Sequence, residues 1–284
     1  MRLLQRAFLT LAILSIYCSA IELQAAEPEN PPAESTFDFI KSRIRMRTFT
    51  EFMTPGFQDN PSSVPHSNGS QLLPTNTFNI AWIDYKIAEN YYILYWQRAV
   101  LTLASIGQQG MNITPRNPRF ALRRTQIFNV PNLSTTYDFY IQPGLAPEAT
   151  TAGRKLEVGF RTSTAYSFPS SKWSIGMVTE FTTAYSAGTQ EGGADVYGWL
   201  MPWVNYSFSS VLSAQLYLPY NFQHIRRNAW YDFELDTPHP YSQAGLGVNF
   251  SDSVSASFLL NTYLNVTPTL KTSWASVWLS IAFM

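Results

Sequence analysis

Hydrophobic and polar residues alternate with a period of two through most of the chain after residue 42. In residues 155–168 the even positions are mostly apolar, and the odd positions are polar or small. Residues 173–182 repeat the alternation with the parity reversed. Because successive side chains of a strand point to opposite faces, each segment predicts a strand with one apolar and one polar face.

The pattern predicts twelve strands. Many exceed the five or six residues usual in soluble sheets and match the nine to eleven that cross a bilayer at a tilt. A count of ten or fourteen would follow if the pair between Arg119 and Gln142 were miscounted. The predicted strands are Ser42–Thr54, Thr77–Ala88, Tyr91–Leu103, Arg119–Asn129, Thr135–Gln142, Lys155–Phe168, Trp173–Tyr185, Val196–Phe208, Val211–Gln223, Tyr241–Phe250, Val254–Val266 and Trp274–Phe283.

The gaps between these strands alternate in length. Gaps after even-numbered strands are short, such as Glu89-Asn90, whereas gaps after odd-numbered strands are mostly long, such as 55–76 and 224–240; only 267–273 is brief. Transmembrane barrels have short periplasmic turns and longer outer loops, and an even strand count places both termini in the periplasm. A soluble sandwich has no reason to alternate in this way.

Aromatic residues cluster near the predicted strand ends and on the apolar face. Membrane barrels carry such girdles at both interfaces, although aromatic residues also favour strands in general. A second group near the outer ends comprises Phe181, Tyr185, Tyr220 and Phe222. The predicted periplasmic girdle is Tyr166, Phe168, Trp173, Tyr206, Phe208, Phe250 and Phe283.

The N-terminal segment has the features of an export signal. Arg2 and Arg6 precede an apolar stretch at 7–17, and small residues offer cleavage after residue 20 or residue 25. Residues 26–41 are rich in proline and acidic side chains, which predicts a periplasmic linker. The expected organisation is therefore a cleaved signal peptide at 1–25, a linker at 26–41 and a barrel at 42–284.

Composition excludes several classes of protein. Only 13% of the 284 residues are charged, and the 19 basic side chains balance the 19 acidic ones, so nucleic acid is not expected as a partner. No run of 18 apolar residues follows the signal, which excludes a helical membrane protein. Cys18 is the single cysteine and lies in the signal, and three histidines lack ligand spacing. No metal site and no cofactor are therefore expected.

The mature chain resembles a bacterial outer-membrane β-barrel of the porin-like kind. Val277, Leu279, Ile281 and Phe283 alternate at the C-terminus, which is similar to the signal that the barrel-insertion machinery reads, although Met284 follows the phenylalanine. The resemblance covers nearly the whole mature chain without indicating a particular family. It implies an all-β, antiparallel up-and-down transmembrane barrel in a Gram-negative outer membrane, in contact with lipid and lipopolysaccharide.

Charged residues are expected inside the barrel. Arg43, Arg45 and Arg47 alternate with Ile44 and Met46, so three guanidinium groups would face the lumen if the apolar pair faces lipid. Arginine rings favour anions in pores, but Glu51, Asp84, Glu157 and Glu180 also point inward, and salt bridges among these groups would plug the lumen. Both interpretations stay open. The candidate lumen-lining residues are Arg43, Arg45, Arg47, Glu157, Arg161 and Glu180.

The expected function is passive diffusion of small polar or anionic solutes through the outer membrane. The first alternative is a closed barrel with an adhesive or structural role through outer loops such as 224–240. A lipid hydrolase ranks lowest. Twelve-stranded outer-membrane phospholipases carry His-x-Ser-Asn-Gly, whereas His66-Ser67-Asn68-Gly69 lacks the intervening residue. Adjacent positions on a strand point opposite ways, so the dyad geometry is missing, and no catalytic residue is predicted.

Overall fold

A computed structural model describes most of the predicted barrel. The described residues are 42–53, 76–102, 112–151, 153–186, 194–225, 233–235, 241–264 and 273–283. The predicted signal peptide (1–25), the linker (26–41) and the segment His66–Gly69 lie outside these residues.

The described structure contains fifteen strands and one short helix, and Ser42 and Arg43, predicted as the start of the first strand, are helical instead. The strands are β1 (Ile44–Met53), β2 (Asn76–Ala88), β3 (Tyr91–Thr102), β4 (Asn112–Pro115), β5 (Arg119–Thr125), β6 (Leu133–Pro143), β7 (Arg154–Ser167), β8 (Trp173–Ser186), β9 (Ala194–Ser207), β10 (Leu212–Tyr217), β11 (Tyr220–Ile225), β12 (Phe233–Leu235), β13 (Tyr241–Ser251), β14 (Val254–Tyr263) and β15 (Ser273–Ala282), and the helix is α1 (Pro147–Thr151).

The strands form one closed antiparallel ring. Strand β15 pairs with β1, with Arg47 opposite Ala282 and Met53 opposite Ser276. Strands β4 and β5 both pair with β3, and β10 and β11 both pair with β9. Strand β12 pairs with β11, and β13, which follows β12 along the chain, pairs with β10. Strands β4 and β5, β10 and β11, and β12 and β13 each share one position in the ring, one strand following the other along it. The fifteen strands therefore occupy twelve positions, which are called staves below. The predicted twelve-strand antiparallel barrel is confirmed.

Apolar and polar side chains separate between the two faces of the ring. One face exposes large hydrophobic residues, including Ile93 at 52%, Met177 at 45% and Leu246 at 47% exposure. The other face holds side chains that touch across several staves, as Arg119 of β5 does with Glu180 of β8. Only the inside of a ring permits contacts between distant staves. The apolar face is therefore the outer one.

Strand β3 shows weak alternation because its inner face is apolar as well. Leu94 and Trp96 point inward and are fully buried, and they pack with Ala121 and Tyr140 in a hydrophobic cluster inside the lumen. Ile93, opposite in orientation, lies on the outer face. Two apolar faces remove the period-two signal from the sequence.

Two staves are interrupted at prolines. The predicted strand Val211–Gln223 breaks at Leu218 and Pro219, where the Leu218 amide donates to the Pro202 carbonyl at 3.0 Å. Proline has no N–H for the ladder, so facing prolines on neighbouring staves end regular pairing there. Pro118 likewise separates β4 from β5. Placing 112–115 and 233–235 in loops was wrong, because both segments pair as β4 and β12.

The two rims of the ring differ in their connections. At one rim, called the turn end, Glu89-Asn90 joins β2 to β3 with Asn90 at φ 62°. The other described connections at this rim are also short: 126–132, 168–172, 208–211 and 252–253. The opposite rim, called the loop end, carries α1 between β6 and β7. No helix within the described ranges is long and apolar enough to cross a membrane.

Candidate functional site: the barrel lumen

The inner wall divides into two regions of different chemistry. The charged arc, formed by the inner faces of β1–β9, contains the arginines and carboxylates. The small polar arc, formed by β10, β13, β14 and β15, is built largely from serine, glycine, asparagine and glutamine together with aromatic rings.

The strongest contact in the charged arc joins Arg119 to Glu180. Two parallel hydrogen bonds of 2.8 and 3.2 Å run from the guanidinium to the two carboxylate oxygens. The Arg119 guanidinium lies 3.8 Å from the centre of the Tyr140 ring, and the Tyr140 hydroxyl donates to Glu180 Oε1 at 3.0 Å. This pair joins two staves that are three positions apart, so the contact runs inside the lumen over the two staves between them.

Gly159 makes this arrangement sterically possible. It lies opposite Tyr140 in register on the adjacent stave. A Cβ at this position would sit 2.5 Å from the Tyr140 hydroxyl oxygen, closer than non-bonded atoms approach. The absence of a side chain therefore lets the tyrosine ring lie across the wall and reach Glu180.

Gln142 extends the network towards the loop end. Its amide oxygen accepts from Arg98 Nη2 at 2.6 Å and from Arg119 Nε at 3.2 Å, and its amide nitrogen donates to Glu157. Glu157 is also 3.5 Å from Arg154 Nη1 and is 1% exposed. The predicted lumen residues Glu157 and Glu180 are thus on the inner wall, where both carboxylates are paired.

A second set of ion pairs lies nearer the turn end. Arg123 donates to both oxygens of Asp138, at 2.6 and 2.8 Å. Asp84 lies 3.8 Å from Arg123 and pairs with Arg47. The groups described so far are six arginines (Arg47, Arg98, Arg119, Arg123, Arg154 and Arg161) and four carboxylates (Asp84, Asp138, Glu157 and Glu180). Glu51, which accepts from Trp278 Nε1 at 2.8 Å, adds a fifth carboxylate to the inner wall, and the arginines remain in excess.

Three arginines predicted to face the lumen, Arg43, Arg45 and Arg47, lie in different environments. Arg47 is paired with Asp84 and lies over the Trp82 ring at 5.7 Å. Arg45 is exposed, lies 5.8 Å from the Tyr92 ring and forms no ion pair with any described residue. Arg43 directly precedes β1. Of the three, Arg45 is the cation most accessible from the lumen.

Arg161 lies between two indole rings, those of Trp96 and Trp199. Its guanidinium carbon lies 5.5 Å from the Trp96 ring and 5.6 Å from the Trp199 ring, on staves at either side. Arg161 was predicted from the sequence to line the lumen, whereas the two tryptophans, Gln142 and Tyr140 were not. Only the register of the strands brings these residues to the same region.

The small polar arc is lined by short hydrogen-bonding side chains. Asn261 donates to Ser276 Oγ at 3.0 Å, and Gln215 donates to Ser213 Oγ at 3.3 Å. A cavity of about 440 Å³ opens at the turn end, and Asn249, Ser255, Ser280 and Ala282 contribute to its lining. Among the described residues, no group of three His, Cys, Asp or Glu side chains could hold a metal ion.

The predicted girdle residues lie near the turn end on the outer face. Trp173 contacts Tyr206 at 4.8 Å between ring centres, and Tyr206 contacts Phe208 at 5.1 Å. Tyr166 contacts Phe168 at 5.2 Å, and Phe250 and Phe283 are exposed. Whether this belt marks a membrane interface stays a prediction.

Arg124 lies at the same end. The adjacent pair Arg123 and Arg124 requires no bulge, because Arg123 points inward while Arg124 lies on the outer face close to the end of β5. The Arg124 guanidinium is 5.4 Å from the Tyr91 ring. A cation near a membrane interface costs far less than one at the midplane.

The fold is similar to that of solved outer-membrane proteins. The COG4313 outer membrane channel from Pseudomonas putida F1 aligns with a TM-score of 0.55 at 11% identity, covering 91% of this chain and 100% of the channel. The protein has the fold of a porin-like outer-membrane β-barrel. This confirms the resemblance inferred from the alternating strands.

Two further structures align less closely. The NanC porin gives a TM-score of 0.48 at 6% identity, covering 84% of this chain and 99% of the porin. OmpF of Salmonella typhi, in complex with daunomycin, gives 0.41 at 8% identity, covering 84% of this chain and 97% of OmpF. No protein-family model and no curated protein matches the barrel.

Proposed function

We propose that the protein is an outer-membrane channel for the passive diffusion of small polar or anionic solutes. The observation that carries this proposal is the closed twelve-stave ring whose inner wall is polar and has more arginines than carboxylates. Positive side chains in a pore lower the electrostatic barrier for anions. The aligned Pseudomonas protein is itself described as an outer membrane channel, which supports the same direction.

The small polar arc offers the route for solutes. Much of the charged arc is occupied by the Arg119 and Glu180 contacts and by the buried cluster around Trp96, although Arg161 in this arc is partly accessible. Ser213, Gln215 and Ser257 on the opposite arc remain partly accessible. Twelve strands lie between the eight that side chains fill and the sixteen of wide porins, so the proposed channel is narrow. The outer face would contact lipid and, at the loop end, lipopolysaccharide.

The closed-barrel alternative is supported by the same charged arc. The paired carboxylates Glu157 and Glu180 each bind a side chain from another stave and so link the staves inside the lumen. A barrel closed in this way would act through its loops, for adhesion or as a surface structure. The described residues supply no observation that favours the lipid-hydrolase alternative, and we do not propose it.

Planar-bilayer conductance separates the channel from the closed barrel. We expect stepwise currents from the purified protein, with a reversal potential in a KCl gradient that indicates preference for chloride. The Arg45→Gln variant should reduce that preference because Arg45 is an exposed lumen arginine that forms no ion pair with any described residue. Arg124→Gln, which removes an arginine from the outer face, serves as the matched control. Silent membranes at all voltages would favour the closed barrel, and cation-preferring steps would contradict the anionic preference.

A further inference from the structure

Arg161 is a lumen cation that has no polar partner among the described residues. It forms no hydrogen bond or ion pair with any described residue, and none of its side-chain nitrogens is completely buried. Its N–H groups are therefore partly accessible from the lumen. A guanidinium has five donors and stays charged, so accessible donors inside a barrel form a ready site for an anion.

The carboxylates that flank Arg161 are committed to other arginines. Asp138 and Glu180 are the register partners of Arg161 on its two neighbouring staves. Arg123 binds both oxygens of Asp138, and Arg119 binds both oxygens of Glu180. Four arginines (Arg47, Arg119, Arg123 and Arg161) thus face three carboxylates (Asp84, Asp138 and Glu180), and Arg161 is the arginine of this set that makes no ion pair with any of the three.

One of the two rings beside Arg161, that of Trp96, begins a series of aromatic contacts that continues along the inner wall. The Trp96 ring contacts Trp82 at 6.2 Å, Trp82 contacts Phe49 at 6.4 Å, and Phe49 contacts Trp278 at 5.8 Å. Trp278 in turn contacts Tyr217 of the small polar arc at 4.9 Å. All except Trp96 are partly accessible. A solute that passes Arg161 therefore also meets flat apolar surfaces.

We propose that Arg161, held between Trp96 and Trp199, binds the carboxylate of small aromatic acids as they pass through the lumen. Both indole rings lie within cation–π range of the guanidinium. A guanidinium can also form two parallel hydrogen bonds with a carboxylate. The planar body of the acid then packs against the neighbouring rings. This inference rests on the proposed channel and narrows its solutes to one chemical class.

Calorimetric titration of the detergent-solubilised barrel with benzoate tests the site without relying on conductance. We expect benzoate to bind the original protein, and Arg161→Gln to weaken binding by about tenfold or more, the effect of losing a charge-assisted bidentate contact. Arg161→Lys, which keeps the charge but loses the planar fork, should weaken it by less. Arg124→Gln is the control and should bind as the original protein does.

Two further probes, each lacking one feature of benzoate, show whether the site recognises the carboxylate, the aromatic ring or both. Benzyl alcohol lacks the carboxylate and cyclohexanecarboxylate lacks the aromatic ring, so both should bind more weakly than benzoate. Equal binding of acetate and benzoate would overturn the aromatic part of the proposal. Unchanged benzoate binding in Arg161→Gln, with the variant still showing a heat-modifiable folded band on a gel, would overturn the site.

Conductance measured beside the titration distinguishes this inference from the channel proposal. Benzoate should reduce the chloride current of the original protein and have about tenfold less potency on Arg161→Gln. Currents without benzoate binding would reject the aromatic-acid site and leave the channel in place. Benzoate binding in a protein that never conducts would reject the channel, and with it the passage of aromatic acids.

Discussion

At the scale of single residues, the lumen is organised around buried charges that depend on their neighbours. Removing Arg119 and Glu180 from water costs several kcal/mol per ion, and only close, well-satisfied geometry offsets this cost. The second acceptor for Arg119 is Gln142, and a second donor to Glu180 is Tyr140. The pair is therefore one part of a shared network, and losing one member leaves an uncompensated charge.

Glu180→Leu should reduce the free energy of unfolding by about 3–5 kcal/mol, because Arg119 would stay buried without its partner. The double variant Arg119→Met/Glu180→Leu should lose clearly less, since it removes both charges. Urea unfolding in lipid vesicles, followed by tryptophan fluorescence, measures both values. An equal loss in the single and double variants would show that side-chain packing, and not the unpaired charge, dominates.

At the scale of the element, each strand carries a lipid-compatible face at its centre and aromatic residues towards its ends. Strand β13 illustrates both features, with Leu246 exposed near its middle and Phe250 exposed near the turn end. Its inner face carries Gln243, Gly245 and Gly247. The same strand thus offers a matched comparison between the centre and the edge of the proposed membrane span.

Leu246→Arg should destabilise the barrel by about 2–4 kcal/mol, whereas Phe250→Arg should cost about 0–1 kcal/mol. The difference follows from depth, because an arginine near the interface reaches water and headgroups. Refolding yield and unfolding free energy in lipid vesicles provide the measurement. Similar costs at the two positions would argue against a bilayer centred on Leu246.

At the scale of the whole molecule, closure joins the first strand to the last. Thr50 lies opposite Leu279 in the β1–β15 ladder, and Phe52 lies opposite Val277. Among the described staves, closure pairs the first with the last, so the sheet does not end in unpaired strands. A bilayer requires such closure because lipid cannot form hydrogen bonds with unpaired backbone groups. It also forces the charged arc and the small polar arc to face each other across one lumen.

A disulfide between Thr50→Cys and Leu279→Cys should form on mild oxidation in a protein whose Cys18 is replaced by serine. Directly opposed residues of an antiparallel pair have Cα atoms about 4.5–5.5 Å apart, within disulfide reach. Thr50→Cys with Val277→Cys is the control, because that diagonal pair is about 7–8 Å apart. Gel mobility with and without reductant reads the bond. Efficient bridging of the control pair instead would indicate a different register at the closure.

Three features could be predicted from the sequence: the number of staves, the face of most strands that points outward, and the short turns that follow every second strand. These features are local: a strand's period of two assigns side chains to faces, and short segments such as Glu89-Asn90 permit only a tight turn. Strand β3 was the exception, because apolar residues on both of its faces removed the contrast. Two interruptions were not predicted: the expected strand Val211–Gln223 ran through the break at Pro219, and β4, which precedes Pro118, was placed in a loop.

The tertiary structure decided which inward side chains meet. Arg119 and Glu180 are 61 residues apart, and their contact depends on the register of four staves and on the missing side chain at Gly159. The sequence placed Arg161 on the inner face but could not distinguish it from its paired neighbours. Its two flanking carboxylates are taken by arginines from other strands, and its indole partners come from β3 and β9. Periodicity fixes the face on which a residue lies, whereas contacts across a lumen depend on how all the strands are staggered around the ring.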